Sequence, residues 1–236
     1  MVYYIRNLKI NWGEQLAANQ NGTKIKRTFM KDEAYQTLRR WIIAGELAPG
    51  TKLRDQDLSV TLGISRTPIR EALLMLENDG LVETKANRWT LVSSIDLNKA
   101  EETYAIVSTL ECLAMELAFT SFSDNDIREL ENLNENLNVS MQNGDRKSAL
   151  EIDYAFHGTI IRMSRNEELQ KLLVSLKLKI RRIESHYFSQ KEFLQPSYAE
   201  HNQIINSIRN KDLQKAKESL KANWKNTLDR LREKQI

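Results

Sequence analysis

The chain has 236 residues, 41% hydrophobic and 28% charged, a length and balance that suit one or two globular domains with a sizeable core. No window approaches the roughly 18 apolar residues of a membrane span. The N-terminus MVYYIRNLKINWGEQ shows no secretory signal and Cys112 is the only cysteine, so a membrane-spanning or disulfide-framed protein is excluded and a cytoplasmic one expected.

The formal net charge of +3 is unevenly spread: up to Ser94 there are 14 Lys+Arg against 10 Asp+Glu, and beyond it 21 against 22. The basic excess therefore sits in the N-terminal part, where a phosphate-binding module would need it. Residues 1–29 read as a flexible lead-in, with AANQNGTKIKRT too polar to build a core. KDEAYQTLRRWIIAG predicts a helix over about Lys31–Gly45, with Ala34, Leu38, Trp41 and Ile42 as its apolar stripe. Pro49-Gly50 marks a turn. A helix over about Asp55–Leu62 follows and Gly63 ends it. Ser65 then opens another as its N-cap, its hydroxyl expected to accept a first-turn N–H. Pro68 fits that first turn.

In this second helix Ile69, Ala72, Leu73 and Leu76 recur at helical spacing, while Arg66, Thr67 and Arg70 lie off that face. A helix that buries one side and presents Arg and Thr from its first turns has the layout of a recognition helix for the DNA major groove. An ordinary helical hairpin with a solvated Arg pair has the same spacing. LVETKANRWTLV predicts two short strands, about Leu81–Lys85 and Trp89–Val92, with Ala86-Asn87-Arg88 at the tip. Three helices and a hairpin make a winged helix-turn-helix over residues 30–94. Lys85, Asn87 and Arg88 would lie along the minor groove or the backbone, unless the hairpin only caps the domain.

From residue 95 to 236 the sequence predicts six helices, about Leu97–Thr120, Asp124–Asn143, Lys147–Ser164, Glu167–Phe188, Ser197–Arg209 and Leu213–Lys234. The fold class is thus mainly α: a winged helix-turn-helix followed by an all-α six-helix bundle. Cys112 reads as a small core residue and His186 as structural or superficial. Asp153 and His157, four residues apart, share a face with Leu150 and Ile160 or Ile161. His201 lines up with Ile204, Ile205 and Ile208, and Asn223 with Leu213, Ala216, Leu220 and Thr227. Polar groups on apolar stripes are costly to bury unless they are paired, bind a metal or meet a ligand. A metal or effector site between helices is one reading, and a hydrogen-bonded core network is the other. A helical metal-dependent enzyme fused to a DNA-binding head is the rival function, but no nucleophile–base pairing or Gly-rich phosphate loop supports it.

ISRTPIREAL followed by LENDGLV resembles the winged-helix signature of GntR-family bacterial transcription regulators. The bundle resembles the ligand-binding domain of the FadR/FCD branch, and its six helices the VanR-like subgroup. The carrying residues are Asp153-x-x-x-His157, Glu200-His201 and Asp212-x-x-x-Ala216. The resemblance implies a non-enzymatic regulator, a repressor, that binds a pseudo-palindromic double-stranded operator as a homodimer and responds to a small carboxylate effector held in the bundle. It implies DNA contacts from Ser65, Arg66, Thr67 and Arg70. Gln56 stands where an Arg often touches DNA, and the wing tip lacks the usual Gly. It further implies a divalent metal, Zn or Ni, on Asp153, His157 and His201. Asn223 replaces the family's third His in that effector pocket, and Val107 replaces an Arg four residues before Glu111. A neutral amide oxygen is a poorer ligand than imidazole for such an ion.

Overall fold

The computed structural model describes residues 25–85, 89–187 and 195–233, with backbone alone for 25–29 and Lys85. The lead-in up to residue 24 and the wing-tip residues Asn87 and Arg88 lie outside the described residues. The first helix, α1 (Ile25–Ile43), begins inside the stretch read as lead-in, six residues before the predicted start. Its stripe is as expected: Ala34, Leu38 and Ile42 are buried against the recognition-type helix.

After the turn at Gly50, β1 (Lys52–Leu53) pairs with the later hairpin, a strand too short for any alternation to reveal. α2 (Asp55–Leu62) ends at Gly63, whose left-handed φ of 66° lets its N–H close back on Ser59 and Val60. α3 (Arg66–Asn78) buries Pro68, Ile69, Ala72, Leu73 and Leu76. Ser65 holds the N-cap position but makes no side-chain capping bond. This departs from the expected cap. A capping hydroxyl bonds the N–H of the second or third helical residue, and Pro68 in the third place leaves only that of Thr67. β2 (Val82–Lys85) and β3 (Trp89–Val92) form the antiparallel hairpin, in the order β1-β3-β2. Leu53, Leu58, Leu81, Val82 and Val92 complete the core of this head.

The bundle comprises α4 (Leu97–Ala118), α5 (Asp124–Gln142), α6 (Arg146–Met163), α7 (Glu167–Tyr187), α8 (Gln195–Arg209) and α9 (Leu213–Glu233). Capping sets three of the starts: Asp96 accepts from the Asn98 N–H, Ser123 and Asp126 form a reciprocal capping box, and Asp145 accepts from the Ser148 N–H. α4 runs through the middle and packs against α6, α7 and α9. Cys112 is buried within it, as expected. Contacts among the described residues tie the units together. α1 packs on α7, and Arg182 of α7 donates to the Ser93 carbonyl in the linker. Among the described residues no helix is long and apolar enough to cross a membrane.

Candidate functional site

The residues picked from the sequence meet in the middle of the bundle. Asp153 and His157 come from one face of α6 and His201 from α8, and their ligand atoms lie within 4.8 Å of one another. Hydrogen bonds decide which ring nitrogens face the centre. His157 Nδ1 stands 2.7 Å from Glu111 Oε2. A carboxylate only accepts, so Nδ1 carries a proton and Nε2 is the ring nitrogen left to face the centre. Asn134 donates its Nδ2 to the Tyr198 carbonyl and to Asn202 Oδ1, both at 3.0 Å, which turns its oxygen toward His201 Nδ1 at 3.2 Å. His201 Nδ1 therefore donates as well. The Phe156 ring, stacked 3.8 Å away and 2° from parallel, holds the His201 imidazole flat.

His201 Nε2 is thus a buried lone pair with no hydrogen-bond partner, 3.4 Å from Asp153 Oδ1. Two electron-rich atoms facing each other in a dry interior repel unless a cation lies between them. A metal ion meets that need, and so does a proton on Asp153. Burial pushes the Asp153 carboxyl above its ordinary value and pushes the His201 imidazole well below its own. Two imidazoles and a carboxylate are a donor set for a transition ion such as Zn²⁺ or Ni²⁺, so the residues present fit a divalent metal. Asn223 is buried nearby, and its amide nitrogen donates to Glu200 Oε2 at 2.7 Å. Glu200 also accepts from Asn226 and from Arg230, each at 2.9 Å.

The resemblance names Glu111, but no spacing in the sequence shows which residues it and its neighbours bind around this centre. Glu111 is fully buried and serves three donors: His157, Lys177 Nζ at 2.7 Å and Trp224 Nε1 at 2.9 Å. Burial alone would raise its carboxyl, but the neighbouring His157 and Lys177, by charge and hydrogen bond, outweigh that and hold it down to about 2. Glu184 takes the hydroxyls of Tyr104 and Tyr154. Burial first, and then the nearby Asp153, push its carboxyl up to about 7. One faint signal existed: Lys177 and Glu184 fall in the row Leu173, Lys177, Ile180, Glu184, so a cation and a carboxylate interrupt one apolar stripe. Val107 is wholly buried, and His186 is exposed, apart from this group.

The head shows a second constellation. Ser65, Arg66, Thr67 and Arg70 are exposed at one end of α3, and Gln56 is exposed on α2. Both arginines turn onto Asp55, at the start of α2. Arg66 Nη2 lies 2.9 Å and Arg70 Nε 2.7 Å from the same carboxylate oxygen. Nothing in the sequence points to this clamp, because its partners are 11 and 15 residues apart and on different helices.

Comparisons with known proteins agree with this division. The family described as "Bacterial regulatory proteins, gntR family" matches residues 30–92, and the FCD domain matches residues 102–226. The chain is similar to the HTH-type transcriptional regulator YdhC of Bacillus subtilis (strain 168), at 30% identity over 59% of this chain and 62% of that one. It is similar to the HTH-type transcriptional repressor RspR of Escherichia coli (strain K12), at 24% identity over 65% and 68% of the two chains. The matched region thus spans less than two thirds of YdhC. In fold it is similar to E. coli McbR/YncC, with a TM-score of 0.76 and 21% identity over 88% of this chain and 99% of that one.

Proposed function

The chain belongs to the GntR family of bacterial regulatory proteins and carries an FCD domain, and from that premise we propose that it is a transcription regulator that reads a pseudo-palindromic operator as a homodimer. The split of α3 carries this reading: its inner face is the head's core, and its first turns present Arg66, Thr67 and Arg70 outward. The members of this family are regulators rather than enzymes. The repressor name of RspR supports repression as the output. Ser65, whose hydroxyl makes no capping bond, is available to a phosphate.

An apolar stripe on α4 supports dimerisation. Ile106, Leu113 and Leu117 are 49%, 42% and 44% exposed and share one side of the helix. A second copy laying the same stripe against it would remove that surface from water. Leu113→Arg is expected to give a one-chain species by light scattering where the parent gives two. A two-chain species in the variant would move the interface elsewhere.

In the bundle, Asp153, His157 and His201 would hold a divalent ion, and Glu111 and Asn134 orient the two imidazoles. Such an ion supplies a Lewis-acidic point at which a small carboxylate effector can be held. Lys177, buried beside Glu111, supplies a cation close to this centre. Zn²⁺ at about 100 times its Kd is expected to raise the melting temperature by roughly 5–10 °C. The His201→Ala variant is expected not to respond. An equal rise in that variant would remove the metal from this site.

A further inference from the structure

A cleft of about 800 Å³ opens at the seam between the head and the bundle. Three helices line it. α1 contributes Arg39 and Arg40, the start of α6 contributes Arg146 and Lys147, and α7 contributes Arg181. Only Glu46 and Glu151 answer these five cations among the lining residues, and Glu151 is already paired with Arg181. Arg146 and Lys147 make no side-chain hydrogen bond or ion pair among the described residues. Arg39 touches Gln36 at 3.4 Å and lies over the Tyr35 ring, and Arg40 touches Thr37 at 3.5 Å, all within α1. Burial, and then the like charge of Arg39, depress the Arg181 guanidinium. Head and bundle thus meet across a cluster of cations that the chain compensates only in part.

We propose that this seam binds a small polyanion, a molecule with two or more phosphate or carboxylate groups, gripped by Arg39 and Arg40 from the head and by Arg146, Lys147 and Arg181 from the bundle. Guanidinium forks match such oxyanions in two-pronged fashion. The cleft lies away from the DNA-reading end of α3. One turn before Arg39, Tyr35 bonds Asp79, which caps the opposite end of α3 from Arg66. A bridging anion would also bear on the linker, because Arg182, next to Arg181, holds the Ser93 carbonyl. Binding across the seam therefore favours one placement of the head on the bundle.

Titration calorimetry of the full chain with inorganic pyrophosphate, and in parallel with citrate, at constant ionic strength, tests this. Saturable binding of one anion per chain is expected. Arg39→Gln with Arg146→Gln, both at partly or fully exposed positions, should weaken it at least about tenfold. The ratio of the two affinities tells phosphate from carboxylate chemistry. Both anions chelate metals, so the same titration on His201→Ala should give the same constant. No saturable binding, or binding that survives Arg39→Gln with Arg146→Gln, overturns the proposal. So does binding lost instead in Arg66→Gln with Arg70→Gln, which would put the anion on the DNA-reading surface.

Discussion

Glu111→Ala is expected to destabilise the bundle by about 3–5 kcal/mol, the usual cost of removing one partner of a buried ion pair. The physical reason is the number of donors it serves. Without Glu111, the buried Lys177 side chain loses its ion-pair partner, and the Trp224 N–H and His157 Nδ1–H lose their acceptor. Urea unfolding followed by circular dichroism measures the loss, and a change below about 1 kcal/mol would show that water replaces the carboxylate. Two further variants locate the cost. Glu111→Gln retains an acceptor while stranding the ammonium, so it should fall between parent and Ala. Glu111→Leu with Lys177→Met removes both charges and should recover most of the stability. Because Glu111 also fixes the His157 ring, Glu111→Gln should weaken metal binding by roughly 10–100-fold, as is usual when a group behind a ligand is changed.

Arg70→Ala is expected to weaken binding to a DNA duplex selected by the parent protein by roughly 10–100-fold, and Arg66→Ala by a similar factor. The two can act differently. An arginine that pairs with a guanine edge carries sequence preference, whereas one on phosphate lowers affinity for every duplex and reduces the salt slope by about 1. Anisotropy titrations at several salt concentrations, on selected and scrambled duplexes, separate these roles. Unchanged affinity in both variants would remove α3 from the DNA interface. Asp55 enters here as a competitor: the carboxylate that holds both guanidiniums must release or share them when DNA arrives. Asp55→Asn should therefore tighten binding to scrambled DNA more than to the selected duplex.

The sequence told most where local physics decides. The starts of α4, α5 and α6 follow from Asp96, Ser123 and Asp145, side chains that cap what comes next, and the faces of α3 follow from apolar spacing. Asp153, His157 and His201 were visible because each breaks an apolar stripe. What was hidden depends on partners far along the chain. Glu111 meets residues 46, 66 and 113 positions away, and no periodicity encodes such pairings. β1 escaped notice because its two residues earn their place only by pairing with β3. The expected Ser65 cap is absent, and Pro68 removes one of the two N–H groups such a cap would bond.

Regulation by a ligand requires one coupling, from the Asp153–His157–His201 centre to the α3 recognition surface. α7 is the element that could transmit it, since it carries Lys177 and Glu184 beside the centre and Arg182 at the linker. The most direct measurement is the affinity of the parent protein for its selected duplex in Zn²⁺-buffered solution and in chelator, with His201→Ala alongside. Coupling predicts a difference of about 5–150-fold between the two conditions for the parent and none for the variant. Superimposable curves for the parent in Zn²⁺ and in chelator would contradict it.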